Sequence, residues 1–186
     1  MNNMETAFRE AGHVVMTLLW GVWRVNRVCM AGMDRPDDGT EYAPVREMEE
    51  NEPGRLSGSR SLDAKLERVI AGPVAEAIFR GREVSYPGGS VAPDFDYLVG
   101  AIQESSPGGS LAEARAAINE HTQVVQADLK RMWPVVEALA HELMHKKELL
   151  DPEIRSIVRI AVNKLPDDEK AWAISRLRNA PPRSSP

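Results

Sequence analysis

The sequence predicts an α+β domain that is mainly helical, with a small β-sheet or hairpin after the first helix. Most of the chain places apolar residues at helical spacing, between capping residues and proline or glycine. Residues 22–30 instead alternate, and their apolar side changes midway, which indicates a strand with a bulge. The 186 residues, 42% of them hydrophobic, are enough for one folded domain with a core.

Start and stop signals place the individual helices. Ser61 is a good N-cap and Gly81 a good stop for the second helix, and Gly72 followed by proline predicts a kink or a close helix contact there. Ser110 and Glu113 form a capping box. The predicted helices are 4–21, 61–80, a short one from 93–94, a long one from 110, 134–147, one with Asp151 as its N-cap, and 167–179.

The remaining segments are expected to be irregular or to extend the sheet. Residues 39–44 are predicted to supply a short partner strand, and residues 46–60 a mobile loop. The domain is expected to cover residues 1–165, with an additional C-terminal helix over 166–179 and a disordered tail over 180–186.

Composition excludes several functional classes. The net charge of −5 argues against general binding to nucleic acids or anionic membranes. The single cysteine, Cys29, excludes a disulfide framework and fits a reducing compartment. No secretory signal is recognisable, and the longest apolar run, residues 14–23, is too short to span a bilayer. A cytoplasmic protein is expected.

Two segments match the H-E-x-x-H pattern of zinc peptidases, one completely and one with a substitution. In this pattern two histidines one helical turn apart bind Zn²⁺, and the glutamate between them activates the metal-bound water. The complete match is His141-Glu142-Leu143-Met144-His145, and the substituted match is Arg9-Glu10-Ala11-Gly12-His13. Both are candidate sites, but their helical surroundings differ.

The complete match lies on the polar side of its predicted helix. The apolar stripe passes through Leu139 and Leu143, and each histidine lies two residues further on, about 200° around the helix axis. Two lysines follow, whereas the helix of a buried zinc site should stay apolar. We expect His141 and His145 to be an exposed pair that can pick up stray metal. A zinc peptidase centred on these histidines and Glu142 is a weaker alternative.

The substituted match lies on a helix face that continues into apolar residues. Arg9 and His13 share this face with Met16 and Trp20, as a buried site would require. Gly12 costs about 1 kcal/mol in a helix relative to alanine unless another element packs closely on it. Taken alone, the pattern also fits an ordinary amphipathic helix with a buried, hydrogen-bonded histidine.

Four segments, in the same order, resemble the FtsH-type zinc metallopeptidase domain. Residues 8–15 and the following strand are similar to that family's A-x-H-E-A-G-H block and V-x-x-V-x-I strand. Residues 70–81 resemble its A/G-G-x-A-A-E-x-x-x-x-G block, and residues 92–95 resemble the stretch where it opens a helix with S/N-D. The chain from residue 136 onward resembles its closing pair of helices. The resemblance covers roughly residues 5–160 and implies a helical, zincin-like peptidase fold.

Carried over to this chain, the resemblance assigns roles to individual residues. It implies Glu10 as the general base, and His13 and Asp94 as zinc ligands. Asp96 is the alternative to Asp94, because the match can shift there by two residues. Glu76 is expected behind the site, as a partner of the ligands.

Arg9 stands where the family has its first histidine ligand. An arginine stays protonated and offers no lone pair, so it cannot bind Zn²⁺, and its charge repels the ion. Two protein ligands remain, where a catalytic zinc site normally uses three. We expect zinc to be weak or absent, catalysis to be impaired, and Arg9 to pair with Glu10 or Asp94.

The predicted function is therefore that of a metalloendopeptidase-like domain with a degenerate R-E-A-G-H motif, acting on a peptide or protein. If it is active, a zinc-bound water attacks the peptide bond and Glu10 takes its proton. No G-x-x-x-x-G-K-[ST] motif occurs, so an ATP site and the ATPase module of full-length FtsH-type proteases are not expected. The alternative is a non-catalytic binding or assembly module that holds an extended peptide on the same scaffold. The oligomeric state is not predicted.

Overall fold

Helices dominate the part of the chain that the computed structural model describes, residues 3–21, 23–30, 46–50, 59–84 and 92–177. The mainly helical α+β class with a small sheet is as predicted. The predicted strand over 39–44 and the predicted tail over 180–186 lie outside the described residues. The elements in chain order are α1 (Asn3–Trp20), β1 (Trp23–Cys29), β2 (Arg46–Glu50), α2 (Ser59–Phe79), α3 (Ala92–Ser105), α4 (Leu111–Arg131), α5 (Trp133–Lys146), β3 (Glu148–Leu150), α6 (Asp151–Val162) and α7 (Asp167–Leu177).

The helix ends lie close to the predicted residues, with three corrections. α2 begins two residues before Ser61, and α3 has 14 residues, so it is not a short helix. Asp151 lies inside α6, where its carboxylate accepts a 2.6 Å hydrogen bond from Arg155 instead of capping the helix. The capping box of α4 is present: the Glu113 N–H donates to the Ser110 hydroxyl at 3.2 Å, and the Ser110 N–H donates to the Glu113 carboxylate at 2.6 Å.

α1 is the central element of the core. α2 covers one side of it and α5 another, and β1 and α7 also pack on it. Phe8, Val14 and Met16, which point in different directions around the helix, are each at most 2% exposed. Because α1 is enclosed, its polar residues Glu10 and His13 are buried too, each 2% exposed. In the described segments, no helix has both the length and the apolar character needed to cross a membrane.

α1 and α2 meet closely at two glycines. A methyl group built on Gly12 would lie 2.6 Å from the carbonyl oxygen of Ala71 and 2.5 Å from the Cβ of Ala75. A methyl group built on Gly72 would overlap the imidazole ring of His13. The close contacts predicted at both glycines are therefore present, and they fix where His13 lies along α2.

The three described strands form an antiparallel sheet in the order β2-β1-β3. The register of β1 against β2 shifts between Val25 and Arg27, which confirms the predicted bulge. On its other side β1 pairs with the three-residue β3, with Val28 opposite Leu149. This third strand is too short to give an alternating pattern, and it was not predicted.

β2 corrects the prediction of a mobile loop over residues 46–60. The residues of β2 pair with β1 in antiparallel register, with Glu47 opposite Arg27 and Glu49 opposite Arg24. Glutamate is ordinarily rare in strands, so its frequency in this segment favoured a loop over a strand. The loop prediction is wrong for residues 46–50, and also for Ser59 and residue 60, which belong to α2.

Candidate functional site

α1 presents the residues of the degenerate motif to two other helices. Arg9 and His13 are one helical turn apart on the same face, and both face α2. The side chain of Arg9 is 11% exposed, so its guanidinium is largely withdrawn from water. A buried arginine requires paired carboxylates, because an isolated buried charge is costly.

The Arg9 guanidinium joins the two carboxylates that the resemblance assigns to the metal site. Its Nη2 forms an ion pair with the Asp94 carboxylate of α3, and its Nη1 lies 3.3 Å from Glu76 Oε2 of α2. Asp94 is thus one of the two partners predicted for Arg9. Asp96, the alternative ligand, is exposed. Arg9, Glu76 and Asp94 together tie three helices to one another.

A second arginine extends this network. Arg80 lies 3.2 Å from the other oxygen of Glu76 and also pairs with Glu5 of α1. The hydrogen bond to Glu5 raises the pKa of Arg80 above its ordinary value, since the carboxylate favours the charged guanidinium. Neither Glu5 nor Arg80 was identified as a site residue from the sequence. The spacing of Glu76 and Arg80, four residues apart on one helix, is the signal that could have identified Arg80.

His13 is held by α2. Its Nδ1 lies 2.7 Å from the carbonyl oxygen of Arg68, which can only accept, so Nδ1 carries the proton. The rest of the ring packs against Gly72, with Nε2 nearest to that glycine. Zinc-ligating histidines commonly donate their other nitrogen to a carbonyl in this way. The tautomer of His13 is the one that a zinc ligand at Nε2 would need.

The donors of a zinc centre are nevertheless not assembled. Within residues 3–21, 23–30, 46–50, 59–84 and 92–177, no three His, Cys, Asp or Glu side chains are grouped so that they could hold a metal ion. Asp94 is engaged by Arg9, and a guanidinium is no metal ligand. In this arrangement the residues do not fit the zinc ion that the resemblance implies. The roles predicted for Glu10, His13 and Asp94 as base and ligands stay predictions.

The complete motif lies on the solvent-facing side of α5. His141 and His145 are both exposed, whereas Leu143 between them is 0% exposed and Leu139 is 1% exposed. This orientation is as predicted. The ring of His141 lies edge-on to Phe8, with 6.2 Å between ring centroids. After the second histidine, Lys146 forms ion pairs with glutamates, as expected for a solvated helix end.

The comparisons with known proteins do not add a family assignment. No protein-family model matches the chain. No curated protein matches it either.

Proposed function

We propose that this chain is an FtsH-like, zincin-type zinc-metallopeptidase domain whose hydrolytic centre is disabled by Arg9. One observation carries the proposal: the guanidinium of Arg9 pairs with Asp94 and lies 3.3 Å from Glu76. These are the acidic residues that the resemblance places at the metal and behind it. A permanently charged side chain therefore holds the carboxylates that would otherwise balance the charge of Zn²⁺.

The surroundings of His13 support a scaffold related to zinc peptidases. Its Nδ1 proton is directed at the Arg68 carbonyl at 2.7 Å, the hydrogen bond that orients such histidines in zinc sites. Glu10, the residue in the position of the general base, is 2% exposed. Without three ligands, no metal-bound water is available for Glu10 to deprotonate, so hydrolysis is not expected.

A domain of this kind retains the ability to bind a peptide or protein. The second candidate function is therefore a non-catalytic binding or assembly module on the same scaffold. The sheet favours it, because β2 pairs only with β1 among the described strands and leaves an edge on which an extended peptide could add a strand.

The experiment is a zinc count on protein purified from zinc-supplemented cells. We expect wild type to hold well under one zinc per chain, and Arg9→His to hold about one, since it supplies the missing imidazole and releases Asp94. Arg9→Gln is the matched control: it removes the cation without adding a ligand, and is expected to stay without metal. Adding His13→Ala to Arg9→His should remove the metal again.

Three outcomes would contradict the proposal. An Arg9→His protein that folds but holds no zinc would show that the remaining residues are not a metal site. One zinc per wild-type chain, lost with His13→Ala, would mean that Arg9 does not disable the centre. One zinc lost with His145→Ala instead would assign the metal to the C-terminal motif, and peptide hydrolysis should then be assayed on the wild type, with His145→Ala as the control.

A further inference from the structure

A second polar cluster is buried where α1, α2 and α4 meet. At its centre is Glu67, which is 5% exposed. The Trp20 Nε1–H donates to one oxygen of this carboxylate at 2.9 Å, and the Nδ1 atom of His121 lies 3.2 Å from the other. The second ring nitrogen of His121, Nε2, lies 3.7 Å from an oxygen of Asp63. One imidazole is thus placed between two carboxylates of α2.

The charged imidazolium fits this position better than the neutral ring. A carboxylate only accepts hydrogen bonds, so the imidazole carries a proton on Nδ1 to donate to Glu67, and a second proton on Nε2 gives it the positive charge that attracts Asp63 at 3.7 Å. When one proton leaves, one ring nitrogen turns a lone pair towards a carboxylate. The hydrogen bond to Glu67 raises the pKa of His121 despite its partial burial, and the charges of Glu67, Asp63 and Glu120 act in the same direction.

We propose that His121 is a proton-dependent clasp that holds α4 against α1 and α2, closed when the imidazole is charged and loosened when it is neutral. The clasp depends on Glu67, because the positive charge of the imidazolium balances the negative charge of this buried carboxylate. Without that charge, Glu67 keeps only neutral N–H donors, the Trp20 indole and one imidazole nitrogen, and a buried carboxylate that loses its balancing charge destabilises the fold.

The clasp is expected to open as pH rises above 6.5 and through the raised folded pKa of His121. Because the pKa of His121 is higher in the folded chain than its ordinary value of 6.5, the stabilisation is fully present below that value. It is lost as pH rises through the folded pKa. Asp128, which also lies near Glu67, has its pKa raised by burial, while Arg176 of α7 lowers it. The pKa of Asp128 is raised from an ordinary value of 3.8. The variant Asp128→Asn separates any effect of this carboxyl on the pH dependence from the effect of His121.

NMR titration of the folded full chain tests the clasp directly. The midpoint of His121 is expected above 6.5, and the Trp20 indole proton should shift with the same midpoint. Glu67→Gln keeps the size of the side chain and removes its charge, so it should lower the His121 midpoint. A wild-type His121 midpoint at or below 6.5 would overturn the proposal.

Urea unfolding between pH 6 and pH 8.5 tests the consequence for stability. Each pH unit by which the folded midpoint exceeds 6.5 should raise the wild-type unfolding constant about tenfold across this range. His121→Gln should remove this dependence, whereas the matched His145→Gln should keep it. The same pH dependence in both variants would also overturn the proposal. If His121→Gln does not fold, the wild-type titration decides.

Discussion

Gly12→Ala tests whether the contact between α1 and α2 is as close as the structure has it. In an isolated helix this change is favourable, since alanine is preferred over glycine by about 1 kcal/mol. Here the added methyl group would lie 2.6 Å from the carbonyl oxygen of Ala71 and 2.5 Å from the Cβ of Ala75. Backbone and a β-carbon cannot rotate away, so the two helices would have to separate by about 0.8–0.9 Å to reach the 3.4 Å at which ordinary contact begins.

The change in the free energy of unfolding is the balance between the cost of overpacking and the gain in helix propensity. Overpacking of a well-packed core costs typically about 1–3 kcal/mol, and a contact with backbone belongs at the upper end of that range. After the gain in helix propensity, Gly12→Ala is expected to lower the free energy of unfolding by about 1–2 kcal/mol. For a domain of this size, that lowers Tm by about 2–8 °C.

Gly100→Ala is the matched control. Gly100 lies inside α3, and a methyl group built on it meets no atom within 4 Å. The same substitution should therefore stabilise the protein there by about 0.5–1 kcal/mol. Thermal unfolding followed by circular dichroism, with urea titration for the free energy, measures both variants. The reasoning is refuted if Gly12→Ala is as stable as wild type, or if Gly100→Ala destabilises as much as Gly12→Ala.

Two further predictions concern α4 and α5. Ser110→Ala should cost about 1 kcal/mol by loss of the N-cap, measured by urea unfolding at pH 7. The Ser110 N–H and, to a lesser degree, the Ser110 hydroxyl lower the pKa of Glu113. Ser110→Ala keeps the backbone N–H and removes only the hydroxyl, whose contribution is present above the ordinary Glu113 value of 4.5 and is lost as pH falls through the lowered folded pKa. The gap between wild type and variant should therefore narrow in acid; an unchanged gap at pH 3 would argue against the reciprocal cap. On α5, Leu143→Ala should cost about 2–5 kcal/mol and His145→Ala less than about 0.5, because only the leucine is buried. Equal losses in the same assay would contradict the orientation of the complete motif.

Local signals in the sequence were enough for most helices and for the two glycine contacts. The capping box at Ser110 and the stop at Gly81, which has a φ of +62°, depend on a few neighbouring residues and can be read directly. β2 could not be read in this way. Its glutamates are ordinarily disfavoured in strands, and its pairing with β1 is decided by tertiary structure.

Only part of the candidate site was predicted, and that prediction came from the family resemblance rather than from local signals in the sequence. The pairing of Arg9 with Asp94, 85 residues apart, was anticipated only because a family resemblance brought the two segments together. Glu5 and Arg80 were missed, since ion pairs between helices depend on how the helices cross. His121 and Glu67, 54 residues apart, form no motif, and each alone looks like a polar residue on a solvated helix.

The pairing of β1 with β3 has a consequence for how the chain folds. It joins residues 27–29 to residues 148–150, and Arg27 reaches Glu148 at 3.2 Å across 121 positions. During synthesis β1 emerges well before β3, so this edge of β1 cannot pair with β3 until all of α5 and then β3 have left the ribosome. Closing so long a loop is slow relative to forming the helices. Completion of the sheet is therefore expected to be a late event, after α4 and α5 have formed.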